Sequence, residues 1–363
     1  MKSPSPAASR SLLFYLIIFA EGYVVLSYEL MAIRIATPFV GSGSDTVSII
    51  IAAVLMPLAF GYHAGGSFRP GRIAGGQKRI GYRDRIIRNF VVSALFIVPG
   101  TSIFVASVFF NMMTDAGLSN RLLQTTLYSV VFIVYPVFLL AQTIPLISNY
   151  FSKGQIARTT GLVLLFSTLG SFMGAVFSTL VLMSWIGVHN TAIVTVGVLA
   201  LLTAALARRL SNDTVVTMVT ALGVTVALNS PAMMRGMNIV ENNRFNLIRV
   251  IEHGEHGRIF SLNNGLSSKY NPKTGEKWDY IEFVEDRFID KIPDDGRKRD
   301  ILVIGAGGFT LGLEDEHNNY VFIDIDGSLK EVAEDHFLPE ELGPNKSFEA
   351  QPARGYLRQT DRK

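Results

Sequence analysis

The sequence predicts an all-α multi-pass membrane bundle, then a small β-hairpin region, then an incomplete α/β nucleotide-binding domain. Three observations carry that expectation. Residues 1–230 hold repeated apolar stretches long enough to cross a bilayer, which takes about 20 residues as helix. From about Met237 the character changes to short strand-like runs separated by turn residues. The stretch Asp300 to Leu329 reads DILVIGAGGFTLGLEDEHNNYVFIDIDGSL, a strand, a glycine turn opening a helix, and a second strand ending on a carboxylate.

Composition agrees with a membrane protein. The 363 residues are 49% hydrophobic and 17% charged, with a mean hydropathy of +0.32. The net charge of +3 is small, and the basic residues fall mostly in short loops, so no nucleic-acid partner is implied. There is no cysteine, which excludes disulfides, thiolate metal sites and a cysteine nucleophile. No metal site is expected. The N-terminus, MKSPSPAASR before a long apolar run, lacks a small-residue cleavage site and reads as a retained signal anchor.

Six spans are placed at Leu12–Ile35, Val47–Gly66, Phe90–Phe110, Thr125–Tyr150, Thr160–Trp185 and Thr191–Ala207, with a shorter seventh stretch at Thr214–Leu228. The loop after the second span carries Arg69, Arg72, Lys78, Arg79, Arg83, Arg85 and Arg88 and is assigned to the cytoplasm by the positive-inside rule. Lys2, Arg10, Lys153, Arg158, Arg208 and Arg209 agree. Six spans leave the C-terminal part in the cytoplasm, the favoured arrangement, and a seventh would place it in the periplasm. The expected location is a bacterial-type inner membrane with a cytoplasmic N-terminus.

Charges inside spans are costly and become site candidates. The first span contains Glu21, Glu29 and Arg34. Eight residues separate the two glutamates, about 80° around a helix, so they share a broad face. Arg34 pairs with Glu29 or snorkels to the interface. A polar pocket or ion path and a buried structural pair both fit. Ser167, Gly170, Gly174 and Ser178 form a small-residue seam for helix packing, and Pro136 and Pro145 imply kinks in the fourth span.

In the soluble part, Asn246–Ile251 and Arg258–Leu262 read as a β-hairpin, with Tyr280-Ile281-Glu282 starting a helix or strand. Residues 237–290 form this β region, and residues 297–363 the nucleotide-binding part. In the latter, Gly305, Gly307 and Gly308 let backbone approach a ligand, and Asp324 can accept hydrogen bonds from both ribose hydroxyls. A helix is expected over Ser328–Phe337, and a short strand and a turn over Phe348–Leu357. A doubly wound sheet needs about five parallel strands, and only about three are found before Lys363. The chain is therefore expected to be truncated or to borrow strands from a partner.

The order of these parts resembles that of the membrane-fused spermidine synthase-like proteins. EGYVVLSYELMAIRI, FGYHAGGSFRPGR, PVFLLAQTIPLIS and STLGSFMGAVFS carry the resemblance in the membrane part, and NNRFNLIRV, SLNNGLSS, YIEF, VIGAGGFTLG, FIDIDGSL and ARGYL in the rest. It covers nearly the whole chain. The resemblance implies a Rossmann-like (class I methyltransferase-like) domain that transfers an aminopropyl group from decarboxylated S-adenosylmethionine, or a related adenosyl compound, to putrescine. Gly305, Gly307 and Gly308 would cradle the adenosyl group and Asp324 its ribose. Asn246, Tyr280 and Glu282 would line the amine pocket. Gly308 and Pro352 stand where the family carries aspartates, and the strand that brings the catalytic aspartate lies beyond Lys363, so no catalytic residue is assigned. Three readings follow: an aminopropyltransferase-like enzyme, impaired in this chain; a binding or assembly protein with a degenerate synthase domain, a pseudoenzyme; or a polyamine transporter or sensor using Glu21 and Glu29. The expected partners are a small polyamine and the lipid bilayer, with a homo-oligomer or larger membrane assembly left open.

Overall fold

A computed structural model describes residues 6–70, 80–151, 156–207, 211–293 and 295–360. The chain divides into two compact units, Met1–Met233 and Met234–Lys363. Lys2, Arg72, Lys78, Arg79, Lys153, Arg208 and Arg209, used above for orientation, lie outside the described residues.

The first unit is helical. Its elements are α1 (Pro6–Val40), α2 (Ser44–Ser67), α3 (Tyr82–Gly100), α4 (Ile103–Asp115), α5 (Arg121–Ser129), α6 (Tyr135–Ala141), α7 (Thr143–Ser148), α8 (Ile156–Phe177), α9 (Met183–Trp185), α10 (Gly187–Leu206), α11 (Asn212–Leu228) and the short α12 (Pro231–Gly236) at the junction. Among the described residues five helical runs are long and apolar enough to cross a membrane: Leu12–Val40, Ser44–Ser67, Arg121–Ser148, Ala157–Trp185 and Gly187–Leu206. Counting the bent pair α3–α4 as one span makes six. Leu55, Met56 and Phe60 on α2, and Leu164 and Phe172 on α8, are each about 60% exposed. An apolar outer surface of that extent suits lipid and not water. At 17 residues, α11 is shorter than each of these five runs.

The third span departs from the continuous helix expected over Phe90–Phe110. α3 and α4 meet at 70°. Pro99 and Gly100 end α3, and the Ser102 side chain accepts from the Val105 amide to start α4. The Gly100 carbonyl at the break accepts from Tyr128 Oη at 3.1 Å. Pro136 acts similarly. A π-helical turn, Val130–Val134, precedes it, and with no N–H on Pro136 the Phe132 carbonyl one turn earlier loses its helical donor. Tyr28 Oη donates to that carbonyl at 2.7 Å. In a bilayer no water could replace these donors, so Tyr128 satisfies the carbonyl left open where α3 ends and Tyr28 the one that Pro136 leaves without a donor.

The seam on α8 faces α1. A side chain at Gly170 or Gly174 would run into the backbone of Phe19 or Tyr23. Ser178 Oγ lies in hydrogen bonds with Ser27 Oγ at 2.8 Å and Tyr23 Oη at 3.3 Å, and Ser27 Oγ reaches Thr195 Oγ1 at 3.0 Å.

The second unit contains two sheets. The first is an antiparallel meander in the order β1 (Ile239–Asn242), β2 (Leu247–Glu252), β3 (Arg258–Leu262), β4 (Gly265–Tyr270). Its expected hairpin is β2–β3; β1 and β4 extend it. Asn263 and Asn264, both at positive φ, form the two-residue β3–β4 turn, the asparagine-rich chemistry such turns favour. The second sheet is parallel, in the order β5 (Asp300–Ile304), β6 (Asn319–Asp324), β7 (Lys346–Ala350). Helices α13 (Asp279–Val284), α14 (Leu329–His336) and α15 (Ala353–Gln359) complete the unit. Phe260 of the meander packs with Phe309, Tyr320, Phe322 and Phe337 in one apolar core.

The helix expected after the glycine turn does not form. Residues 305–318 run through turns instead. Gly307, Gly308 and Gly312 are poor helix formers, and Phe309 takes a φ of +60°, which ends any right-handed helix there. Its ring is fully buried and packs edge-on against Phe322 and Phe348 at 5.1 and 5.3 Å, so core packing holds the unusual backbone.

Candidate functional site

The C-terminal ends of β5 and β6 lie side by side, with Ile304 opposite Ile323. There the chain turns at Gly305, whose φ of +88° requires glycine and whose Cβ position is open space. The Gly305 amide donates to the Ile323 carbonyl at 2.9 Å. The next amide, Ala306, donates to Asp324 Oδ2 at 3.1 Å, and the Asp326 amide donates to Asp324 Oδ1 at 3.1 Å. A carboxylate offers about four lone-pair sites. Two are taken by backbone, and two remain for a ligand's hydroxyl groups.

Gly308 faces inward. Its amide donates to Ser268 Oγ at 2.9 Å, and a Cβ there would lie 2.6 Å from Phe337 Cε1 and 2.9 Å from Ser268 Cβ. Gly305 therefore borders the open side of the turn, Gly307 sits against the Ser267 and Ser268 hydroxyls, and Gly308 belongs to the core.

The residues assigned to an amine pocket separate. Tyr280 Oη donates to the Ser267 carbonyl at 3.0 Å, and Ser267 Oγ lies 2.9 Å from the Cβ position of Gly307, so Tyr280 is held beside the turn. Burial pushes its phenol above the ordinary value. Glu282 accepts from the Lys277 amide at 3.1 Å and lines a different feature, an acidic cleft of about 870 Å³ shared with Glu285, Asp286, Glu314 and Asp315. Asp315 to Asn318 lead into the start of β6, so this cleft lies at the opposite end of the parallel strands from Gly305. Lys277, 3% exposed, pairs with Glu285 at 2.9 Å and Glu314 at 2.5 Å. Burial draws its ammonium downward, but the two carboxylates outweigh it and hold it above the ordinary value.

Asn246 meets Asp326, a residue the sequence reading passed over. Asp326 is 1% exposed and accepts from Asn246 Nδ2 at 2.8 Å, Asn243 Nδ2 at 3.0 Å and Ser328 Oγ at 2.8 Å. The signal available was position: Asp326 follows Asp324 by two, at the start of a turn into α14.

In the membrane unit, Glu21 is 2% exposed, and Glu29 and Arg34 are each 8% exposed. A polar cluster unforeseen from sequence lies between α3 and the α6–α7 break: Gln142 Oε1 accepts from Arg85 Nη2 at 3.1 Å and Asn89 Nδ2 at 3.2 Å, and Asn89 Nδ2 also donates to the Leu139 carbonyl. Arg85 is thus a packing residue of the bundle as well as part of its basic rim. Among the described residues no group of three or more His, Asp or Glu side chains is placed to hold a metal ion.

Comparison of the chain with protein-family models, with curated proteins and with solved structures finds no match.

Proposed function

We propose that this chain is a membrane-anchored, spermidine synthase-like protein whose C-terminal unit binds an adenosyl compound at the Gly305–Ala306–Gly307 turn. The observation that carries the reading is Asp324. Its two oxygens are oriented by the Ala306 and Asp326 amides at 3.1 Å, at the end of a parallel strand pair and beside an open glycine turn. This geometry suits a ribose with two adjacent hydroxyls. Gly305 leaves open the space that a Cβ would fill, so decarboxylated S-adenosylmethionine fits the turn on its ribose side. The helical bundle anchors the unit in a bacterial-type inner membrane, with the N-terminus and the C-terminal unit on the cytoplasmic side, as Arg69, Arg83 and Arg88 favour by the positive-inside rule.

The family reaction is attack of an unprotonated amine on the carbon beside a sulfonium. A C–N bond forms, the C–S bond breaks with its electron pair going to sulfur, and the amine proton passes to a base. An enzyme must orient and desolvate the amine and accept that proton. Here Asp324 and Asp326 are engaged in hydrogen bonds, Gly308 is packed against Phe337, and Pro352 carries no carboxylate. Nucleoside binding is therefore retained and aminopropyl transfer to putrescine is slow. The packing of Gly308 favours a second reading, in which the unit is a non-catalytic binding module of a membrane assembly.

The two readings separate on release of methylthioadenosine from decarboxylated S-adenosylmethionine and putrescine by the detergent-solubilised full chain. Slow release, lost in Asp324→Ala, supports the enzyme. Nucleoside binding without release supports the module, and absence of both rejects the site.

A further inference from the structure

The turn that ends in α14 is more heavily braced than a βα turn requires. Asp326 is a buried carboxylate without a cationic partner among the described residues, and a buried charge is retained only where hydrogen bonds compensate its desolvation. Its oxygens accept from Asn243 Nδ2 at 3.0 and 3.2 Å, Asn246 Nδ2 at 2.8 Å, the Ser328 amide at 3.2 Å and Ser328 Oγ at 2.8 Å. The donors are themselves fixed. Asn243 Oδ1 accepts from the Phe245 and Asn246 amides at 2.7 and 2.9 Å, which closes an Asx turn. Asn246 Oδ1 accepts from Asn263 Nδ2 at 2.9 Å, and Asn263 Oδ1 accepts from the Leu247 amide at 3.0 Å. A continuous polar chain thus runs from the β3–β4 turn to the backbone of Asp326, whose amide reaches Asp324 Oδ1.

We infer that Asp326 is a positioning residue for Asp324: the asparagine clamp on its side chain fixes the 324–328 turn, and through the Asp326 amide it sets the rotamer in which Asp324 presents its free lone pairs to a ribose diol. This rests on the proposed adenosyl site and assigns Asn246 to the clamp, not to an amine pocket. A clamp built only from neutral donors holds the turn without placing a positive charge beside Asp324, so the full anionic character of that carboxylate stays available to the two hydroxyls.

The test uses the full chain in detergent, with Asp326→Asn and the milder Asn246→Ala as variants. Hydrogen exchange on the segment around residues 305–309 reads the geometry without ligand. The Ala306 amide donates to Asp324, so both variants should exchange it at least tenfold faster, while the β6 segment, held by its strand pairing, keeps its protection. Unchanged exchange at Ala306 overturns the inference. Calorimetry with 5′-methylthioadenosine and its 2′,3′-dideoxy analogue reads the consequence. The unmodified chain should prefer the ribose compound by about ten- to a hundredfold, the worth of one or two hydrogen bonds to a charged group. The variants should bring that preference to within about threefold while still binding the analogue. A full preference in both variants also overturns the inference. Faster exchange at Ala306 in a protein that binds neither nucleoside upholds the clamp and rejects the adenosyl reading of the turn.

Discussion

Gly308 and Phe337 compete for one space: a Cβ at position 308 would lie 2.6 Å from the Phe337 ring, which is fully buried against Phe260. The spermidine synthase-like pattern expects an aspartate at this position, and the chain has used the room for an aromatic core. Gly308→Asp should therefore not restore a carboxylate to the turn. It should displace Phe337 and bury a charge, at a cost of about 1–3 kcal/mol for the overpacking alone. Thermal unfolding of the C-terminal unit should fall by several degrees, and Gly308→Asp combined with Phe337→Ala should lose less than the sum of the two. Additive losses would show that the two positions are independent.

Tyr28 acts on the backbone of another helix. Its hydroxyl is the donor to Phe132 O, the carbonyl left bare by Pro136. Tyr28→Phe should lower stability in detergent by about 1–3 kcal/mol, the cost of a buried acceptor left unsatisfied. Pro136→Ala in the same background should recover part of the loss by returning an N–H to the helix. No recovery would separate Tyr28 from the proline.

The seam between α1 and α8 leaves no room for side chains. Gly174→Leu would drive a branched side chain into the Tyr23 backbone, so it should reduce the yield of folded, monodisperse protein sharply. Leu164→Ala, on the exposed face of the same helix, should leave it nearly unchanged. Equal effects would contradict the packing role.

Asp315 gives the C-terminal unit a defined acid response. Partial burial pushes its carboxyl up, but hydrogen bonds from Tyr320 Oη at 2.7 Å, Asn318 Nδ2 at 2.8 Å and the His317 and Asn318 amides bring it down to about 2. A lowered folded value means stability that is fully present above the unfolded value of about 3.9 and lost as pH falls through the folded one. Unfolding followed between pH 4 and pH 2 should therefore show a steeper decline in the unmodified chain than in Asp315→Asn. Parallel profiles would remove Asp315 from the acid response.

Much of this organisation is written in the residues. The apolar runs mark the spans because a bilayer demands length and apolarity together, and Ile301 to Ile304 and Val321 to Ile325 mark the parallel pair as short continuous apolar runs, although only β6 is buried and Leu302 and Ile304 of β5 are exposed. Local breaks are less visible. Pro99-Gly100 bends the third span by 70°, yet hydropathy runs smoothly across it. β4 escapes notice because Gly265–Tyr270 lacks an apolar alternation. The helix missing after Gly308 depends on Phe309 finding its place in the core, a tertiary preference that local periodicity does not encode. Asn246 was legible as a polar residue near a strand, but its partner, Asp326, is 80 positions away.

An adenosyl site at the Gly305 turn and the Asp324 carboxylate stands or falls on nucleoside binding. Calorimetric titration of the full-length chain in detergent with 5′-methylthioadenosine tests it most directly. Binding should be saturable at one site, weakened at least tenfold by Asp324→Ala and left within about twofold by Glu282→Gln, at the opposite end of the strands. Binding that is absent in the unmodified chain, or unchanged in Asp324→Ala, would contradict it.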